Sequence, residues 1–321
     1  MKTTISTGWL LPKAGLIRMG VLMGVLTTGQ AAGAPPDVQG AAVRLPAQRL
    51  AELRRDVTRA RAIDPGSFAA VSVIVTRAPE AARRARGGSA PTASDIARLG
   101  SSAVLPTLEM LALDPPHGVP AEAAPMVRRD LVEAVGLLRD PRGLPVVSAI
   151  LDDESEGTET TRTAAEAVAR IGTEEAATKL LSALDLTRAE RARAVVAGMG
   201  ECRHLRVTEA IAAVLRTTTD EPMARIAARS LGRAGNAWAW RTMKDRSSET
   251  PIRETAARAL LDAYLRHDGE ARDAASNALM VVDAPQTPAL IAEAKRTASP
   301  PGVEALDALA VRFARNPTRT R

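Results

Sequence analysis

The chain holds three histidines and a single cysteine, and one place sets two of them side by side: Cys202-Arg203-His204. A thiol and an imidazole at that spacing could serve as a nucleophile and its base, or as two ligands of a metal. The first needs the imidazole within hydrogen-bond reach of the sulfur, and the second needs further ligands to complete a tetrahedron. Residues two apart on a helix point to different sides, and no other ligand stands at a useful spacing, so Cys202 reads as a thiol packed between helices. His117 in DPPHGVP reads as a loop residue, and His267, with Asp268 and Glu270 in LRHDGE, as part of a polar turn. The acidic run Asp152-Asp153-Glu154-Ser155-Glu156 resembles a calcium loop only loosely. It lacks the alternating oxygen ligands and the closing bidentate glutamate, and reads as a solvated linker. No Walker loop, Rossmann glycine pattern or nucleophile elbow is present. The expectation is a protein that is not an enzyme and holds no cofactor or metal, with no small-molecule substrate indicated.

One constellation suggests recognition. Trp238, Trp240 and Arg241 stand together in Gly235-Asn236-Ala237-Trp238-Ala239-Trp240-Arg241, read as the start of a second helix of a helical hairpin. Two residues along a helix turn through about 200°, so both rings cannot enter one groove. One ring is expected to fill the gap beside Leu231 and the other to stand on the concave face lined by the second helices, next to Arg241, where an exposed tryptophan makes a natural anchor for a partner. Packing of both rings between repeats is the competing reading.

The elements that must position these residues repeat. Arg129 recurs as Arg162, and Glu133-Ala134-Val135 as Glu166-Ala167-Val168. Gly172, Gly200 and Gly232 recur in turn, and Ala227-Ala228-Arg229-Ser230-Leu231 returns as Ala256-Ala257-Arg258-Ala259-Leu260. A period of about 30 residues suits two short helices and two turns. Strand signals are weak: even Val71-Ser72-Val73-Ile74-Val75 is flanked by Ala and Arg, which favours a buried helix. Ala164, Ala165, Ala167 and Ala169 are expected to let a first helix lie close to its neighbour, while Leu180, Leu181 and Leu184 fill the groove from the second. Gly172, Gly200 and Gly232 are each expected to end a first helix in the left-handed conformation. Hairpins of this kind cannot bury their apolar faces alone and must stack.

Ala134 to Leu151, with its AVG, LLRDPR and LPVVSAIL blocks, resembles a HEAT repeat of the short, bilin-lyase-like type, and so does LGSSAVLPTLEMLAL from Leu99. The likeness covers roughly residues 94–294. It implies an all-α fold, an α-solenoid of stacked HEAT-like helical hairpins, and it leaves function open because such arrays carry many tasks. Bilin lyases share the type, which implies an accessory or regulatory subunit of an enzyme as one reading. Tetratricopeptide repeats want large aromatics, and this chain has three Trp, one Tyr and two Phe. Armadillo arrays stay open. The segment from Arg253 has Leu261 where a glycine is expected, and the pairing between Ile252 and Arg296 is not settled by pattern.

Residues 1–34 read as a bacterial export signal of the general secretory type. Lys2, Lys13 and Arg18 give a basic start, Met19 to Leu26 a short apolar run, and Ala31 to Ala34 candidate cleavage positions. The run is too short to span a bilayer. Removing it takes the net charge from +6 to about +3, so the basic isoelectric point is a weak guide. Residues 35–91 read as a basic N-terminal helical cap, which could touch anionic lipid or an acidic partner. Residues 92–316 read as the solenoid of about six helix pairs, and 317–321 as a disordered tail. The near-neutral solenoid and the scarcity of aromatics argue against nucleic acid. The expected function is an exported, periplasmic or secreted, non-enzymatic scaffold or adaptor that binds protein partners on its concave surface. The alternatives are the enzyme accessory subunit and a protein held at a membrane surface by its basic cap.

Overall fold

The computed structural model describes residues 43–84 and 91–316. The chain divides into two units, residues 1–37 and 38–321. The first lies outside the described residues, and with it the expected export signal; the expected tail at 317–321 lies outside them as well. The described residues form helices and turns, with no strand among them.

The helices are α1 (Ala47–Ile63), α2 (Pro65–Arg84), α3 (Thr92–Arg98), α4 (Val104–Ala112), α5 (Ala124–Leu138) and α6 (Leu144–Asp152). They continue as α7 (Thr158–Ile171), α8 (Glu174–Ala183), α9 (Ala189–Met199), α10 (Leu205–Thr217) and α11 (Glu221–Ala234). The last are α12 (Ala237–Arg241), α13 (Glu249–Arg266), α14 (Gly269–Val282), α15 (Thr287–Lys295) and α16 (Pro300–Ala314). They stack in two layers. Each of α3, α5, α7, α9, α11, α14 and α16 packs on the next to make the first layer. The second layer is α4, α6, α8, α10, α13 and α15. At the N-terminal end α1 packs on α4 and α2 on α3. This is the all-α stack of helical hairpins expected from the repeat.

Local rules set the boundaries. Thr173 caps α8 by accepting from the Ala176 N–H at 3.1 Å, and Asp220 caps α11 through Met223 at 2.9 Å. Proline stands in the first turn of α5, α6, α11, α15 and α16, where its missing N–H costs nothing. The buried side chains form one continuous core from Val43 to Leu309, with Val132, Val147, Leu180, Ile211 and Leu260 fully enclosed. A second, small cluster gathers Ala234, Trp240 and Ile252.

The glycines divide in a way the repeat pattern hid. Gly172 ends α7 in the left-handed conformation at φ 69°, as expected. Gly200 ends α9 but keeps right-handed backbone, and Gly232 lies inside α11. Their work is close packing instead. A Cβ on Gly200 would stand 2.9 Å from the Ser230 Cα, and one on Gly232 3.0 Å from the Ala278 Cβ. In the α5 hairpin, where the glycine comes early as Gly136, Arg139 takes the left-handed position at φ 54°.

The segment from Arg253 departs from its sequence likeness to the α11 segment. Although Ala256-Ala257 repeats Ala227-Ala228, α13 packs on α10 in the second layer, and α14 takes the first-layer place beside α11. Between Ile252 and Arg296, α13 thus packs on α10, α11 and α14, and α15 packs on α13 and on α16. The five-residue α12 is an insertion between α11 and α13 rather than the second helix itself.

Candidate functional site

Asn236 sits at the N-terminus of α12 and its Oδ1 accepts from the backbone N–H of Trp238 at 2.9 Å and of Ala239 at 3.0 Å. Those two bonds fix the rotation of the short helix. Trp240 then points inward. It is 1% exposed, touches Ala234, Ile252, Leu205 and Met243, and donates its indole N–H to the Ala234 carbonyl at 3.0 Å. Trp238 points out and is 63% exposed, with the Arg241 guanidinium 5.8 Å from its ring centre. The expected division of labour holds, but the buried ring fills a pocket at Ala234 and Ile252 rather than beside Leu231. Trp240 is therefore a packing residue, and of the three expected anchors Trp238 and Arg241 reach the surface. The place differs as well. The residues around Trp240 lie at the end of α11 and the starts of α10 and α13, so α12 lies along the edge where first helices turn into second helices. It does not sit among the faces of the second helices.

Those faces carry an open groove. It measures about 950 Å³ and runs between α6, α8 and the segment entering α1. Ser148 of α6 and Thr178 and Ser182 of α8 give its lining hydroxyls, among charged neighbours that include Arg44, Asp152 and Glu175. Sequence reasoning did not single out these hydroxyl residues. The signal was present as small or hydroxyl residues at one position of successive second helices, but nothing in the pattern says which face stays open.

The residues read first for catalysis have structural work. The Cys202 thiol is 1% exposed and burial pushes it up to about 11, so it is not a thiolate at neutral pH. His204 turns its Nε2 to Glu174 at the start of α8, a carboxylate it shares with Arg206 at 2.8 Å. His117 is exposed beside Asp114 at 3.2 Å. The acidic run is pinned rather than merely solvated. Asp152 pairs with Lys179, Glu154 with Arg188, and Glu156 accepts from Arg128 Nε at 2.9 Å. Asp153 accepts from the Ser155 N–H at 2.9 Å and hydroxyl at 2.6 Å. No cluster of His, Cys, Asp and Glu suited to a metal ion occurs among the described residues.

A two-layer stack of helical hairpins with an open second-helix face defines the class: an α-helical repeat protein. Residues 121–200, spanning α5 to α9, match the family model described as HEAT repeats, and the chain carries HEAT repeats there. No curated protein matches the chain in sequence. Among solved structures, the chain is similar to human deoxyhypusine hydroxylase in complex with glycerol, at 15% identity and a TM-score of 0.34, over 77% of this chain and 97% of that one. This match corrects the expectation that the chain is not an enzyme. The lack of a familiar catalytic motif does not by itself separate a helical-repeat chain from enzymes. At that identity and TM-score the likeness transfers no activity. No described helix is long and apolar enough to cross a membrane.

Proposed function

We propose that the chain is an exported scaffold or adaptor that binds protein partners along the concave face of its second helices. The observation that carries this reading is the groove over α6 and α8. Its lining residues Ser148, Thr178 and Ser182 offer a polypeptide backbone hydroxyl partners. The basic start, apolar run and alanine-rich close of residues 1–34 support export across the inner membrane.

The test is affinity capture of the tagged full chain from the envelope of its native host, repeated with Thr178→Arg and Ser148→Trp, which fill the groove. A partner held by the parent chain and lost by both variants, with thermal unfolding unchanged, supports the reading. A partner retained by both variants overturns it. Recovery of the chain from the cytoplasmic fraction overturns the export claim separately.

A second reading has its own observation. Arg54, Arg55 and Arg59 of α1 are exposed and have no ion-pair partner among the described residues, and Ile63 beside them is 78% exposed. That face suits weak contact with an anionic membrane surface. Release of a membrane-associated pool by high salt, abolished in advance by changing all three arginines to Gln, is its signature.

A further inference from the structure

We propose that Trp238, with Arg241 and Lys244, docks an acidic polypeptide segment on the edge formed by the turns from first to second helices. This rests on the reading of the chain as a protein-binding scaffold and adds a second surface with a partner of stated chemistry.

The exposure of Trp238 is built in. A large ring left in water forgoes a sizeable burial gain, and a ring free to fold back would take it. Trp238 cannot, because Trp240 fills the pocket beneath α12 and Asn236 holds the backbone above it. A ring fixed in advance loses little freedom when a partner covers it, which is the condition for a strong anchor.

The surroundings select the charge of that partner. Arg241, Lys244 and Arg246 follow Trp238 within eight residues, and all three are exposed. Glu249 is buried and shared by Arg246 and Arg253 at 2.6 Å each, which leaves Asp245, turned to the Ser247 N–H at 2.9 Å, as the one exposed carboxylate between residues 238 and 248. Lys244 has no ion-pair partner among the described residues. An aromatic platform rimmed by cations complements a segment that sets aspartate or glutamate around an apolar side chain or proline. It suits a bilayer less well, since insertion wants a broad apolar face. Trp238 is the sole strongly exposed large apolar side chain of α12 and its following loop; the others among the described residues stand on different elements.

The experiment uses the full chain and three probes: a fluorescent acidic peptide rich in Glu, Pro and Leu, the same peptide with Gln for Glu, and phosphatidylglycerol vesicles. The expected result is saturable anisotropy change with the acidic peptide alone, weakened by salt. Affinity should fall about tenfold in Trp238→Ala and again in the double variant Arg241→Gln, Lys244→Gln. Circular dichroism melts of these surface variants should superimpose on the parent. Equal binding of the Gln peptide, unchanged affinity in Trp238→Ala, or binding to vesicles but not to peptide overturns the proposal. Partner capture through the α6–α8 groove is scored independently. A partner that the parent chain captures and the groove variants lose, with no binding of the acidic peptide, sinks the edge site alone; a partner that the groove variants retain sinks the scaffold reading.

Discussion

Gly198 of α9 lies against Ala165 of α7 so closely that a Cβ built on the glycine would stand 2.4 Å from the alanine Cβ. The same Cβ would stand 2.7 Å from the Glu166 backbone nitrogen, so no side-chain rotation can make room. One hairpin earlier, a Cβ built on Gly136 would stand 2.7 Å from the Ala167 Cα. First helices therefore touch backbone to backbone, and the spacing of the layer is set by residues without side chains.

Gly198→Ala should therefore destabilise the fold although alanine is the better helix former. The propensity gain is about 1 kcal/mol, and forcing two packed helices apart costs about 1–3 kcal/mol or more. Urea unfolding should show a lower midpoint for Gly198→Ala and a larger loss for Gly198→Val. An unchanged midpoint for both would mean that the helices are free to separate.

A second prediction concerns arginines that reach across to the C-terminal carbonyls of neighbouring helices. Arg253 of α13 is largely buried and donates to the Val282 and Asp283 carbonyls, at 3.1 and 2.5 Å, where α14 ends. Arg266 reaches the Leu215 and Arg216 carbonyls at the end of α10, and Arg191 those of Leu151 and Asp153 at the end of α6. Each cation satisfies acceptors left open at a helix C-terminus and lies at the negative end of its dipole. Arg253→Met keeps the aliphatic stem and removes the donors, leaving Glu249 with one cation instead of two. A loss of about 1.5–3 kcal/mol is expected, read as a lower unfolding midpoint. Arg→Lys should recover part of it, because one ammonium cannot span two carbonyls.

These arginines also mark how far the sequence could be read. Stacking, helix composition and layer spacing follow from Ala and Gly at fixed positions, since small residues at a helix contact have one physical use. The layer to which a helix belongs does not follow. Ala256-Ala257 matches Ala227-Ala228 residue for residue, yet α13 sits in the second layer because the α12 insertion changes where the chain re-enters the stack. The roles of Gly200 and Gly232 were obscured for a related reason: a glycine required by a neighbouring helix looks the same as one required by a turn. Of the candidate site, the opposed directions of Trp238 and Trp240 were legible from helical geometry. The open groove over α6 and α8 was not, because openness depends on what the rest of the chain covers.

A third prediction concerns pH. Asp130 of α5 is 7% exposed, its Oδ2 has no hydrogen-bond partner, and burial raises its carboxyl to about 6 despite the Thr92 hydroxyl donating to it. Glu133 also raises it, and Arg129 opposes. The folded state thus binds this proton more tightly than the unfolded state, where the ordinary value near 3.8 holds. Stability should be lower above pH 7 and rise as pH falls from about 7 to about 4, by about 3 kcal/mol. Asp130→Asn should be more stable than the parent at pH 7, with the difference vanishing near pH 4. A constant difference across that range would assign the effect to packing rather than to the proton.

The last prediction tests the left-handed cap that stands in for a missing glycine. Arg139 ends α5 at φ 54°, and its N–H bonds back to the Gly136 carbonyl at 3.3 Å. An L-residue pays about 1–2 kcal/mol for this conformation, whereas Gly172 occupies the equivalent place after α7 without that strain. Arg139→Gly should remove the strain and lose some of the gain to the greater freedom of glycine in the unfolded chain, for a net stabilisation of about 0.5–1 kcal/mol. Gly172→Ala should cost about 1 kcal/mol or more at the matching site. Arg139 has no ion-pair partner among the described residues, so its replacement breaks no charge pair. If Arg139→Gly proves destabilising under urea, the guanidinium makes a contribution to the edge beyond its backbone conformation, and the equivalence of the two hairpin turns fails.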